Sequence, residues 1–231
     1  ADYDRLLIAT GSDPFIIPVP GHDLEGVIAF RDIADVDNML AAAKEYRHAV
    51  VIGGGLLGLE AANGLMKQGM KVTVLHLMDT LMERQLDSVA GKMLKKELES
   101  RGLEFLMHAS TKEIIGKKRV QGVVLEDGQE ITADLVVMAV GIRPNVKLAK
   151  DAGIFFERGL VVNDTMQTYD PRVYAVGECV QHRGNIYGLV APLFEQAKVC
   201  ANHLAQLGYA RYVGSMVSTK LKVTGIDLFS A

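Results

Sequence analysis

Two rhythms of apolar residues run along the chain. Short apolar runs that stop at a glycine recur at Leu6 to Ala9, Arg47 to Ile52, Asp134 to Val140 and Val173 to Val176. Such runs, bounded by turn residues, predict strands buried on both faces of a parallel sheet. Between them the period lengthens. Leu56 to Gln68 has helical length and ends at Gly69, a residue suited to the position just past a helix. Asp87 can cap a helix whose apolar positions Ala90, Met93, Leu94 and Leu98 recur at helical spacing, and Gly102 closes it. Lys71 to His76 alternates as a strand. Arg119 to Glu126, then Asp127-Gly128, then Gln129 to Thr132 predict a β-hairpin. Pro14 to Gly21 reads as an extended crossing segment, and a helical pattern runs from Pro192 to about Leu207. Strand–helix–strand–helix order predicts an α/β fold: a doubly wound parallel sheet with an antiparallel β excursion.

Composition narrows the class without naming a function. The 231 residues are 49% hydrophobic with a formal net charge of −3, which excludes a disordered chain and a basic surface for nucleic acid. Apolar stretches such as Ala49 to Leu59 stay well below the ~18–20 residues of a membrane span. The opening ADYDRLLIATG carries no signal-peptide pattern. The expectation is a soluble, cytoplasmic protein that binds neither nucleic acid nor membrane. Cys179 and Cys200 match no CxxC or zinc spacing, so no metal site and no thiol catalysis is expected; Cys179 reads as a small buried hydrophobe. Glycine supplies 23 residues, above the usual ~7%, which points to turns with specific tasks.

The densest glycine signal is Gly53-Gly54-Gly55-Leu56-Leu57-Gly58, after a strand and opening a helix. In a GxGxxG loop the first glycine makes the tight turn, the second lets backbone approach a pyrophosphate, and the third lets helix pack on strand. The helix N-terminus adds unpaired N–H groups for the phosphates. An ordinary structural turn is the competing reading. The ribose selector, expected about 20 residues on, falls at His76, with Asp79 three residues further. No Arg or Lys from Leu77 to Leu81 is there to grip a 2′-phosphate, which favours NADH and leaves NADPH open. His76 could instead be a polar strand end. Thr10-Gly11 and Val140-Gly141 each follow an apolar strand, as expected where a chain crosses between two nucleotide-binding domains. Glu178, just beyond Gly177, could accept a hydrogen bond from a cofactor hydroxyl or be an ordinary exposed acid. Ala191-Pro192 opens a helix whose dipole could stabilise negative charge on a reduced flavin.

The ordered set ATG (9–11), GGGLLGLEAA (53–62), AVGIRPN (139–145) and YAVGEC (174–179) resembles the two-dinucleotide FAD/NAD(P)H oxidoreductases. Leu81 to Asp87, Gly188 to Pro192 and Ser218 to Lys222 are similar to one branch in particular, the large subunits of NAD(P)H-dependent nitrite reductases. The resemblance implies an NAD(P)H-binding domain over 27–143, a partial FAD-binding domain of the same type over 1–26 and 144–215, and the first strand of a following domain over 216–231. It implies Thr10, Gly11, Gly177 and Glu178 against FAD, with Arg31 near the flavin. Gly53, Gly55, Gly58, Glu60 and Gly141 would line the NAD(P)H site, and His76 stands where the family more often has Glu. The family's first phosphate loop is not seen ahead of ATG, so the chain reads as an internal fragment that binds NAD(P)H weakly and holds little FAD alone. An iron–sulfur cluster and sirohaem are implied only for the intact protein, with a small nitrite reductase subunit or downstream electron-accepting domains as partners. Two alternatives stay open: a rubredoxin- or ferredoxin-reductase-like flavoprotein, and a non-catalytic redox sensor module.

Overall fold

The computed structural model describes residues 2–223 and 225–230. They form two compact units, one of residues 1–13 with 142–217 and one of residues 14–141 with 218–231.

The larger unit is built on a five-stranded, wholly parallel sheet. Its order is Val27–Ala29, Leu135–Met138, His48–Ile52, Lys71–His76, Glu104–Met107. Alternation along the central strands divides the core into two layers. Val51, Val72, Val74, Leu135 and Val137 turn to one face, where they pack with Leu59, Ala62 and Leu65 of the helix Leu56–Lys67. Leu94 and Leu98 of the helix Ser88–Ser100 join that layer. Val50, Ile52, Leu75, Val136 and Met138 turn to the other face. There Ile114, Val120, Val123 and Leu125 of the antiparallel sheet Thr111–Gly116, Val120–Leu125, Glu130–Thr132 cover them. The expected hairpin thus serves as the lid of the second sheet face. Burial of this kind stabilises by roughly 25 cal/mol per Å² of apolar surface, which is why the positions facing these two layers are apolar.

Local signals set the ends. Asp87 caps its helix, its Oδ1 accepting from Ala90 N at 2.8 Å. Gly69 takes φ +88 just past the cap residue Gln68, and Gly102 takes φ +105. Gly128, at φ +88, turns the hairpin. The helix Ile33–Glu45 was not anticipated by periodicity. Ile33 is exposed and the buried residues are only Met39, Ala42 and Ala43, so its apolar stripe is faint. Its signal lay in the cap: Asp32 and Asp35 form a reciprocal capping box.

The compact grouping differs from the expected boundaries in two places. Ile16, Ile17, Val19 and Leu24 pack on the sheet face beneath the antiparallel lid, and Ile114 N donates to Pro20 O. Residues 14–26 therefore go with the five-stranded sheet. Leu221 and Val223 are buried on the helical face, and Thr219–Lys220 pairs antiparallel with Phe229–Ser230. That short pair belongs to the same unit, because Leu221 and Val223, which follow its first strand, bury there.

In the smaller unit Leu6–Ile8 runs parallel to Val173–Ala175, with Ile8 opposite Ala175. Leu160–Val162 runs parallel to Val180–His182, which turns back into Asn185–Ile186. Tyr174, Leu160, Met166, Cys179 and Cys200 fill the core. The long helix spans Val190–Leu204, two residues ahead of the start expected at Pro192. Pro192 is the third helical residue, where a backbone N–H would have no intrahelical acceptor, so its ring costs nothing.

Candidate dinucleotide-binding sites

In the larger unit the glycine loop leaves the strand His48–Ile52 at its carboxyl end. Gly53 takes φ +122, its N–H donates to Leu75 O, and an added Cβ would lie 2.3 Å from Ala139 O. A Cβ on Gly58 would lie 1.9 Å from Gly53 O. These two positions have no room for a side chain. Gly55 is different: it caps the helix Leu56–Lys67 at φ −86, and a Cβ there would meet nothing within 4 Å. No side chain caps this helix, so its first N–H groups stay available. Tight turn, close packing and open approach thus separate among the three glycines as a pyrophosphate cradle requires. Gly141, φ +110 and also open, follows the neighbouring strand Leu135–Met138.

Gly54 is held from the opposite side. Its N–H donates to His76 Nδ1 at 3.0 Å, and its carbonyl accepts from Met82 N at 3.0 Å. Met82 is fully buried in the left-handed region at φ +52, which shows how tightly this turn is drawn in. His76 Nε2 lies 2.9 Å from Thr80 O and 3.3 Å from Glu83 Oε2. Both ring nitrogens are therefore engaged within the chain. Glu60 lies one turn along the glycine-loop helix, where its Oε1 accepts from Lys222 N at 3.0 Å. Arg31 is exposed ahead of the helix Ile33–Glu45, its backbone N–H donating to Asp35 Oδ2. The structure thus gathers Gly53, Gly55, Gly58 and His76 around one loop. Glu60 stands further along the same helix, and Arg31 lies just ahead of the helix Ile33–Glu45.

The smaller unit assembles a second set. Adjacent parallel strands end at Ile8 and Ala175, joined by Val176 N donating to Ile8 O. Just past them Gly11 (φ +67) and Gly177 (φ +92) both leave the space above their Cα open. Thr10 Oγ1 donates to Asn145 O at 2.7 Å, and Gly11 O accepts from Asn145 N. Glu178 is buried, its Oε2 accepting from Ser12 Oγ at 2.6 Å. A Cβ on Gly188, directly before the long helix, would stand 4.0 Å from Glu178 Oε1. The carboxylate and the uncapped start of Val190–Leu204 are therefore close neighbours. Fully buried Gln196, from the second turn of that helix, accepts from Gly177 N at 3.0 Å. The supporting roles of Ser12, Gln196, Thr80 and Met82 were not read from sequence, since none of them sits in a local motif that announces its partner. Cys179 is fully buried with its Sγ 3.3 Å from Val176 O, and burial pushes the Cys200 thiol up to about 11. Neither has the exposed, electropositive setting of a reactive thiol. Among the described residues no cluster of His, Cys, Asp and Glu could hold a metal ion. No helix among them is long and apolar enough to cross a membrane.

Glycine cradles at the carboxyl ends of parallel strands, one in each unit, are the mark of α/β dinucleotide-binding proteins. The chain belongs to the pyridine nucleotide-disulphide oxidoreductase family, whose model matches residues 1–203. It is 59% identical over 229 residues to the nitrite reductase [NAD(P)H] of Bacillus subtilis (strain 168), covering 99% of this chain and 28% of that protein. It is 48% identical over 229 residues to the assimilatory nitrate reductase electron transfer subunit of the same organism, covering 99% and 30%. The crystal structure of a ferredoxin reductase from Rhodopseudomonas palustris superposes with a TM-score of 0.88 at 28% identity, over 95% of this chain and 55% of that one. The chain thus spans less than a third of the two curated relatives' length.

Proposed function

We propose that this chain is the NAD(P)H- and FAD-binding portion of a cytoplasmic nitrite reductase large subunit. The observation that carries the reading is the division of labour among Gly53, Gly55 and Gly58: two positions closed by backbone and one left open at a helix N-terminus. A purely structural turn has no use for the third. Gly55, Gly58 and the first N–H groups of Leu56–Lys67 would hold the nicotinamide dinucleotide's pyrophosphate, with Gly141 beside it. Thr10, Gly11, Gly177 and buried Glu178 would lie along FAD, and the open space over both glycines fits a cofactor's approach. When bound, the two cofactors supply hydride transfer and onward electron transfer. The residues of this chain orient them and place charge: the Val190–Leu204 N-terminus offers partial positive charge where a reduced ring system would carry negative charge. Arg31 and Glu60 are proposed as more distant members of these sites.

Nitrite reduction to ammonium would then proceed at iron–sulfur and sirohaem centres outside this chain, in downstream domains or a small subunit. Two buried cysteines cannot furnish the four thiolates a cluster needs. A second reading, delivery of electrons to a separate carrier protein, draws on the likeness to an electron transfer subunit and a ferredoxin reductase. Anaerobic titration of the full-length protein with NADH separates the possibilities. Bleaching of a flavin band, restored by nitrite alone, is expected. Restoration only by an added carrier protein would favour the second reading, and a flavin that never bleaches would refute both.

A further inference from the structure

His76 occupies the place where a ribose-binding acid is expected, yet its geometry serves the loop. The Gly54 N–H points at Nδ1 from 3.0 Å, so Nδ1 must be the unprotonated nitrogen. The other nitrogen faces an obligate acceptor, the Thr80 carbonyl at 2.9 Å, with Glu83 Oε2 at 3.3 Å, so Nε2 must carry the proton. One tautomer satisfies every partner, and the ring is buried. A Cβ on Gly54 would come within 2.7 Å of the imidazole Cγ, which places the ring directly beneath the loop peptide.

We propose that His76 is a positioning residue of the dinucleotide loop rather than a ribose ligand: a neutral Nε2–H imidazole that fixes the Gly54 peptide and releases it when the ring takes up a second proton. A proton on Nδ1 would face the Gly54 N–H donor to donor, and one of the two must move away. The adjoining Gly55 N–H would then lose its aim. Glu83, from the turn that follows the strand, is the charged group in ion-pair range of the ring. Asp79 on the same turn and His108 beyond the neighbouring strand are exposed, and neither forms an ion pair with His76 among the described residues. Leu81 beneath Gly54 and Met107 opposite His76 are uncharged.

This inference rests on the dinucleotide-binding reading above, and two measurements keep the two apart. A long-range 1H–15N correlation spectrum of the nucleotide-free chain at neutral pH is expected to show His76 as the Nε2–H tautomer; an Nδ1–H or doubly protonated ring would overturn the proposal. NADH binding is then followed by fluorescence from neutral to about pH 5.5, the range in which imidazoles change charge. Wild-type affinity is expected to fall about tenfold on acidification, the scale of one lost hydrogen bond. His76→Asn, whose Oδ1 stands two bonds from Cβ like Nδ1, should bind with near wild-type affinity and a flat profile. His76→Leu, with no acceptor, should bind about tenfold more weakly at every pH. Equal profiles for wild type and the Asn variant would overturn the proposal. Absence of NADH binding at any pH would instead strike the dinucleotide reading, while the tautomer spectrum still judges His76.

Discussion

At the scale of single residues the decisive contrast lies within one loop. Gly58→Ala forces a methyl against Gly53 O at 1.9 Å and should destabilise the larger unit by about 2–4 kcal/mol, measured by urea unfolding. Gly55→Ala meets nothing, so stability should change by no more than about 0.5 kcal/mol. A second residue-scale prediction concerns acid. Asp164 accepts from Arg183 and from His182, and these hydrogen bonds hold its carboxyl down to about 2. The folded state thus releases this proton more readily than the unfolded chain, so stability rises with pH from about 2 to about 4 and is lost as pH falls through that window. Asp164→Asn should flatten that part of the acid-unfolding curve. The glycine roles were legible in sequence because GxGxxG places three different demands on backbone at fixed spacing. The work of His76 was not: whether its nitrogens face a ribose or a peptide depends on the turn through Thr80 and Met82, which has no periodic signature.

Helices and strands were legible where the pattern was strong. The central strands His48–Ile52 and Leu135–Met138 read correctly because burial on both faces leaves them continuous and apolar, and Lys71–His76 read correctly by its alternation. The cap at Asp87 was equally plain, and Asp87→Ala should cost about 1 kcal/mol through the lost bond to Ala90 N, seen as a lower urea midpoint. The helix Ile33–Glu45 escaped because alanines carry its buried face and Ile33 is exposed. Its Asp32–Asp35 box predicts a loss of similar size for Asp32→Ala. The edge strands Val27–Ala29 and Glu104–Met107 were missed because three or four residues fix no period.

On the scale of the whole molecule, chain order and compact grouping part company. The smaller unit draws on both sides of the larger one in sequence, and the larger reclaims residues 218–231. Burial of Leu221 and Val223 makes that reassignment, and no local pattern could have announced it. The central claim remains that the open glycine cradle of the larger unit is a nicotinamide dinucleotide site. Calorimetric titration of the chain with NADH, run in parallel on the wild type and Gly55→Ala, tests it most directly. Saturable one-to-one binding to the wild type, weakened at least about tenfold in a variant of unchanged stability, is the expected result. Absence of saturable binding, or equal affinity for the two, would contradict it.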